Sequence, residues 1–170
     1  KIFPTAKIIL IDLPEVICMQ RFYLYKLLPK AKVFDYAIYK KKGLNSFFRN
    51  RYDFAFLPPD VIKDIKNKQI DLVINTLSMM EMDKEVVKNY MFQINRIVKN
   101  KGFFYCVNRY RRSTDNEIKI KEYNFDDYWY FIESQKFFLQ PWIHEILARR
   151  TNIPNFYSPK KTLSQLHPLY

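Results

Sequence analysis

Four short apolar runs recur along the chain, and each one ends at a polar residue or a proline. They are Lys7–Ile11, Phe54–Leu57, Asp71–Ile74 and Phe103–Val107. A continuous apolar run of this length is typical of a strand buried on both faces of a parallel sheet. Helical patterns lie between most of the runs, and alternating strands and helices predict an α/β fold. The 170 residues are enough for one domain with its own core.

The carboxyl ends of these predicted strands are where we expect chemistry. They fall at Asp12, Leu57–Pro59, Asn75–Ser78 and Asn108–Tyr110. Open parallel α/β sheets bind ligands in the crevice outside the carboxyl ends of their strands. The polar residues at these ends are therefore the first candidates for a site.

The segments between the predicted strands are predicted to include two helices and a loop. Pro14 and Glu15 open a predicted helix that Pro29 ends, while Lys40–Arg51 is polar and basic around Gly43 and is predicted to be a loop. Asp83 is predicted to cap a helix whose end we place at Lys99–Gly102.

The pattern changes after Arg111. Tyr128–Ser134 and Ile143–Arg149 are predicted to be two antiparallel strands. The last segment is rich in proline and is predicted to be an extended tail. The predicted domain therefore covers residues 1–150, and the tail covers residues 151–170.

Glycine is scarce, which limits the kind of cofactor site this chain can build. Gly43 and Gly102 are its only glycines. A loop that cradles a nucleotide needs several glycines close together, for positive φ angles and for close approach of the backbone. These 170 residues contain no such loop, and they also lack a P-loop, a Ser-His-Asp order and any metal-ligand spacing.

The net charge of +12 has two interpretations. A basic surface can bind nucleic acid, but the lysines and arginines are spread in small groups that favour a solvated surface. Cys18 and Cys106 are both predicted to be buried, without a disulfide or a zinc site. No signal peptide and no apolar run of about 18–20 residues is visible. The sequence therefore predicts a cytoplasmic protein with no membrane partner.

Several segments together resemble the sugar O-methyltransferase family, which has the class I S-adenosylmethionine-dependent fold. The resemblance covers roughly residues 6–150, and its segments are Ile11-Asp12-Leu13-Pro14-Glu15, Asn75-Thr76-x-Ser78-x-x-Glu81-Met82, Gly102-Phe103-Phe104-Tyr105 with Asn108-Arg109, and His144-Glu145-x-Leu147-x-Arg149. It implies a Rossmann-like, mostly parallel sheet with an antiparallel C-terminal strand pair. It also implies a first strand between Lys7–Ile11 and Asp71–Ile74, which this chain lacks together with the glycine-rich loop. We expect an upstream segment to fill that slot, or the chain to form a homo-oligomer there.

The resemblance implies S-adenosylmethionine as cofactor and a sugar or glycan hydroxyl as methyl acceptor. The cofactor-binding residues would be Asp12, Leu13, Asn75 and Thr76; the substrate-binding residues would be Ser78, Asn108 and Arg109; and the catalytic base would be Glu81. Without the glycine-rich loop, we expect this chain by itself to be inactive. The alternative function is that of a non-catalytic methyltransferase-like binding protein, or of a basic module that binds nucleic acid.

Each of these residues also has a structural interpretation. Asp12 precedes a helix and could cap it, Asn75 could be a strand-end turn residue, and Glu81 could be an acid of a first helical turn. Arg109 starts a basic run that could be solvated surface. His144 and Glu145 face opposite sides of a strand, so they cannot form a chelating pair by their spacing, and a buried, hydrogen-bonded His144 is predicted.

Overall fold

The computed structural model describes residues 5–110, 119–140, 142–155, 159 and 163. The chain divides into two compact units, Lys1–Ile65 and Lys66–Tyr170. Each unit has a sheet of its own. In the described part of the chain, no helix has the length and apolar character needed to cross a bilayer.

The first unit contains a three-stranded parallel sheet. Its strands are β1 (Ile8–Ile11), β2 (Val33–Phe34) and β3 (Phe54–Leu57), in the order β1-β3-β2. The central strand β3 is buried along its whole length, as its apolar run predicts. A 3-10 turn at Pro59–Asp64 follows it and buries Val61 and Ile62.

Helix α1 (Pro14–Leu27) begins with proline at its first position and ends shortly before Pro29, as predicted. Leu24 and Leu28 lie beside β2 and β3, whereas Met19 and Tyr23 on another side are exposed. Cys18 is exposed as well, so the prediction that it is buried is wrong. The reason is that α1 is apolar around most of its circumference, and the sheet of this unit covers only one side of it.

The segment predicted as a loop at Lys40–Arg51 is largely helical, and that prediction is wrong. Helix α2 (Tyr36–Lys42) ends at Gly43, and helix α3 (Asn45–Arg49) follows. The Oδ1 atom of Asp35 accepts a hydrogen bond from the Ile38 backbone N–H at 3.0 Å and caps α2. Leu44 and Phe47 are buried and anchor the segment, which tertiary packing stabilises despite its basic surface.

The second unit contains a four-stranded sheet in the order β4-β5-β7-β6. Its strands are β4 (Ile70–Thr76), β5 (Val98–Arg109), β6 (Trp129–Lys136) and β7 (Ile143–Arg150). The pair β4–β5 is parallel, and β5–β7 and β6–β7 are antiparallel. The mixed α/β architecture, with parallel strands and an antiparallel C-terminal pair, is confirmed.

Helix α4 (Lys84–Ile97) buries Val87, Met91, Ile94 and Ile97 at helical spacing. Asp83 holds the N-cap position, although its side chain makes no cap hydrogen bond. The helix ends at Ile97, earlier than predicted, because β5 begins at the next residue.

Gly102 therefore belongs to β5 and does not end the helix. A Cβ atom placed on it would lie 2.9 Å from the backbone oxygens of Asp71 and Lys99. The position requires glycine because two stretches of backbone approach it closely.

The two strands expected to flank a missing first strand do not pair with each other. Strand β1 is an edge strand of one sheet, and β4 is an edge strand of the other. In the C-terminal region, Pro159 and Leu163 are helical and buried, so an extended tail is not what the chain forms at those two residues. The boundary of a domain at residue 150 stays a prediction.

Candidate functional site

The predicted site residues of the second unit meet at the carboxyl ends of β4 and β5. The Nδ2 atom of Asn108 donates to Oδ1 of Asn75 at 2.9 Å, and Oδ1 of Asn108 accepts from the Met80 backbone N–H at 3.1 Å. The Nδ2 atom of Asn75 donates to Oγ of Ser78 at 2.6 Å. Three of the residues expected to contact cofactor or acceptor therefore form one connected network.

This network holds the loop after β4 in an unusual backbone conformation. Leu77 has a φ of 58°, a backbone angle that residues other than glycine rarely adopt. Its N–H donates to the Val107 oxygen at 2.7 Å, and the Met79 N–H donates to Oδ1 of Asn75 at 3.2 Å. Buried Met79 anchors the short 3-10 turn Met79–Glu81 that follows. These contacts support the interpretation of Asn75 as a turn residue. Its Oδ1 atom already accepts two hydrogen bonds, so a role in ligand binding would use the second hydrogen on Nδ2.

Thr76 and Glu81 lie next to members of this network in the chain, and both are exposed to solvent, as is Ser78 within the network. Arg109, the last residue of β5, is half-buried, and its buried Nε atom has no hydrogen-bond partner among the described residues. A guanidinium group has five donors, so an unsatisfied one at a strand end suits an anionic or hydroxyl-rich ligand.

In the first unit, Asp12 follows the end of β1. Its Oδ1 atom accepts from the Leu13 N–H at 2.8 Å, and its Oδ2 atom accepts from Nε2 of Gln20 at 3.0 Å. Leu13 holds the N-cap position of α1, so Asp12 lies one residue before the cap and does not take that role. The other amide atom of Gln20, Oε1, is buried and has no partner in the described part of the chain.

Gln20 was not predicted from the sequence. The signal available is its position two helical turns after the strand-end acid, which brings its amide back to the carboxylate. The pair offers several acceptor oxygens at one strand end, and a ligand with two adjacent hydroxyl groups could donate to them.

His144 behaves as the sequence predicts. It is buried, and its Nε2 atom lies 2.9 Å from Oγ of Ser134. Burial lowers its pKa from 6.5 to about 4. On the opposite side of β7, Glu145 accepts a hydrogen bond from the Tyr105 hydroxyl at 2.7 Å, which together with burial raises the tyrosine pKa to about 12. His144 is therefore neutral at neutral pH, as the structural interpretation of it requires.

Cys106 shares the buried face of β5 with Asn108, whose Nδ2 atom lies 3.1 Å from its sulfur. Burial raises the pKa of the thiol to about 12, so the group stays protonated and is not a nucleophile. No group of three or more His, Cys, Asp or Glu side chains within the described ranges could hold a metal ion.

No protein family profile and no curated protein matches this sequence. Among solved structures, a protein assigned as a type 11 methyltransferase from Sulfolobus solfataricus aligns over 89% of this chain and 89% of its own, at 16% identity and a TM-score of 0.42. The PH0226 protein from Pyrococcus horikoshii OT3 aligns over 88% of this chain and 84% of its own, at 12% identity and a TM-score of 0.50. Only the second value reaches 0.50, and at that identity it indicates a similar fold and nothing about activity.

Proposed function

We propose that this protein belongs to the machinery of S-adenosylmethionine-dependent methyl transfer, with a sugar hydroxyl as acceptor. The observation that carries the proposal is Asp12 at the carboxyl end of a parallel strand, paired with a glutamine whose Oε1 atom is buried and unsatisfied within the described residues. An acidic residue at this place in a Rossmann-type sheet accepts hydrogen bonds from ribose hydroxyls.

The side-chain oxygens of Asp12 and Gln20 fit one part of the cofactor. The carboxylate of Asp12 and the amide oxygen of Gln20 are acceptors suited to the two ribose hydroxyls, and the exposed Leu13 suits contact with an adenine ring. The methionine end has no glycine-rich cradle in these 170 residues. We therefore expect weak binding that depends on the adenosine portion.

The roles proposed for the second unit follow from its strand-end network. Asn75 and Thr76 would contact the cofactor, while Ser78 and Arg109 would hold the acceptor. Asn108, expected from the sequence to hold the acceptor as well, is fully buried and its amide atoms are already hydrogen-bonded, so it would position Asn75 and Met80 instead. S-adenosylmethionine supplies an electrophilic methyl group when bound. Exposed Glu81, two residues after buried Met79, would accept the proton of the acceptor hydroxyl, because a hydroxyl is a poor nucleophile until a base removes its proton.

Titration calorimetry with adenosine and with S-adenosylmethionine tests the cofactor assignment. We expect both ligands to bind weakly with similar affinity, and Asp12→Ala to lower the affinity for both by about tenfold or more, as loss of a hydrogen bond to a charged group does. Asp60→Asn, a change at an exposed acid in the same unit, should leave binding unchanged. Tight binding of S-adenosylmethionine that survives Asp12→Ala would show that the cofactor contacts lie elsewhere.

One observation favours the alternative of nucleic-acid binding. Exposed aromatic rings on α1 lie beside cations: the Arg21 guanidinium is 5.4 Å from the Tyr25 ring centre, and the Lys26 Nζ atom is 4.7 Å from that of Phe22. Rings and cations together bind single strands by stacking and by charge. A fluorescence-anisotropy titration with an oligonucleotide of mixed sequence separates this function from the first. Under that alternative Phe22→Ser weakens binding, whereas Asp12→Ala does not.

A further inference from the structure

The turn that joins β6 and β7 presents an apolar tip. We define the hairpin tip as residues 137–140 together with Trp142. Its backbone is held by a closed set of hydrogen bonds: Phe137 N–H donates to the Ile143 oxygen at 2.8 Å, Gln140 N–H to the Phe137 oxygen at 3.1 Å, and Ile143 N–H to the Gln140 oxygen at 2.9 Å. The Tyr110 N–H also donates to the Trp142 oxygen at 3.0 Å. The tip is therefore a defined turn, tied to the end of β5.

The side chains of this turn are nevertheless directed to solvent. Phe138 is 85% exposed, Leu139 is 66% exposed and Trp142 is 56% exposed. Single exposed apolar residues are ordinary, but three large ones on a single tight turn are not. Side chains this exposed can be buried by entering a lipid layer or a pocket on a partner.

The charge around the tip favours one kind of binding partner over another. Lys136 ends β6 at the base of the tip, and Arg109 is the register partner of Ile143 just beyond it. The whole chain carries a net charge of +12. A second copy of this chain would bring the same positive charge to the contact, whereas an anionic surface would be attracted to it.

We propose that the hairpin tip inserts into the interface of a bilayer that contains anionic phospholipid. Tryptophan and phenylalanine are favoured at the headgroup level, and nearby lysine and arginine side chains are attracted to anionic lipids. The sequence predicted no membrane partner because no segment is long enough to span a bilayer. Insertion at the interface needs no spanning segment, and it is independent of methyl transfer. Because the tip lies at the carboxyl end of β5, the strand-end network of this unit would then lie close to the lipid surface.

Vesicle co-sedimentation tests the proposal. The probes are phosphatidylcholine vesicles and vesicles of phosphatidylcholine and phosphatidylglycerol in equal parts. We expect the 170-residue chain to bind only the mixed vesicles. The double variant Phe138→Ser, Leu139→Ser should bind them at least about tenfold more weakly, because it loses two apolar side chains that the lipid would bury. Phe92→Ser, at an exposed residue of α4, is the matched control and should bind like the unaltered chain.

A second readout needs no variant of the tip. Trp129 is fully buried, and Trp142 is the other of the two tryptophans in the chain. Brominated phosphatidylcholine in the mixed vesicles should therefore quench the emission of Trp142. Absence of binding, binding without quenching, or undiminished binding by a correctly folded double variant would each overturn the proposal. So would sedimentation velocity showing, without vesicles, a dimer that the double variant abolishes, because the tip would then belong to a contact between copies.

Discussion

Asn108 on β5 donates a hydrogen bond from its Nδ2 atom to Oδ1 of Asn75 on β4, at 2.9 Å, and so ties together the ends of two parallel strands. The two residues lie 33 positions apart in sequence. Asn108 is fully buried, and its other amide atom fixes the Met80 backbone N–H. A buried amide whose donors and acceptor are satisfied stabilises one arrangement of the surrounding loop, since any other arrangement would leave a polar atom unpaired.

Replacing Asn108 with alanine should therefore destabilise the second unit. The change removes one of the two partners of Asn75 Oδ1 and the side-chain partner of the Met80 N–H, and we expect the free energy of unfolding to fall by about 1–3 kcal/mol. Urea denaturation followed by circular dichroism measures it. Asn89→Ala, at an exposed position of α4, should change stability by less than about 0.5 kcal/mol. Equal effects of the two variants would show that the strand-end network contributes nothing.

Arg150 should be far more important for stability than its neighbour Arg149. The Arg150 guanidinium donates to both carboxylate oxygens of Asp126, at 3.1 and 2.8 Å, and lies 5.2 Å from the Trp129 ring centre. We expect Arg150→Ala to cost about 2–3 kcal/mol, and Arg150→Lys to recover only part of it because lysine lacks the planar fork.

Arg149 is the control for this prediction. It is exposed and contacts only the Phe103 ring among the described contacts, at 5.8 Å. Arg149→Ala should cost less than about 1 kcal/mol in the same denaturation experiment. A larger loss for Arg149→Ala than for Arg150→Ala would contradict the importance assigned to the partly buried pair Arg150–Asp126.

Gly102→Ala should be destabilising for a steric reason. The new Cβ atom would meet two backbone oxygens at 2.9 Å, and backbone cannot move aside as a flexible side chain can. We expect a loss of about 1–3 kcal/mol, as for overpacked sites. The adjacent residue, Lys101, has a φ of 67°, so Lys101→Gly relieves strain and should change stability by less than about 1 kcal/mol. Thermal unfolding of the two variants compares them directly, and a neutral Gly102→Ala would refute the close approach.

Stability should fall as the pH drops from about 6.5 to about 4. Burial lowers the pKa of His144 from 6.5 to about 4. Within this pH range His144 is therefore protonated in the unfolded chain but neutral in the folded chain. The contribution of neutral His144 is fully present above the unfolded pKa and is lost as the pH falls towards the folded one.

Two glutamine variants isolate this contribution from that of the carboxylates. Urea midpoints should depend less on pH in His144→Gln than in the unaltered chain, whereas His167→Gln, at the only other histidine, should keep the full dependence. The same pH dependence in all three proteins would show that His144 does not titrate differently on folding.

Local patterns in the sequence predicted most of the regular elements. Strand β3 is a continuous apolar run and helix α4 has a clear helical apolar period, and both form where the sequence places them, although α4 ends earlier. The helices around Gly43 were missed because their stability comes from burying Leu44 and Phe47, which no local pattern reveals. The prediction for Cys18 failed for the converse reason, since the pattern of a helix that is apolar around most of its circumference does not indicate which side is covered.

The sequence by itself determined which residues lie at the carboxyl ends of the parallel strands. Each strand is a local apolar run, and its carboxyl end is the point where that run meets a polar residue or a proline. Only the tertiary structure decided what those residues contact. It showed that Asn75 is hydrogen-bonded to both Ser78 and Asn108, and that Gln20 is hydrogen-bonded to Asp12. It also showed that Phe138 and Trp142 are exposed on a turn beside β5. Such relationships join residues far apart in the chain or depend on the packing of whole elements. Side-chain chemistry is readable from sequence, but the partner that each group finds is set by three-dimensional packing.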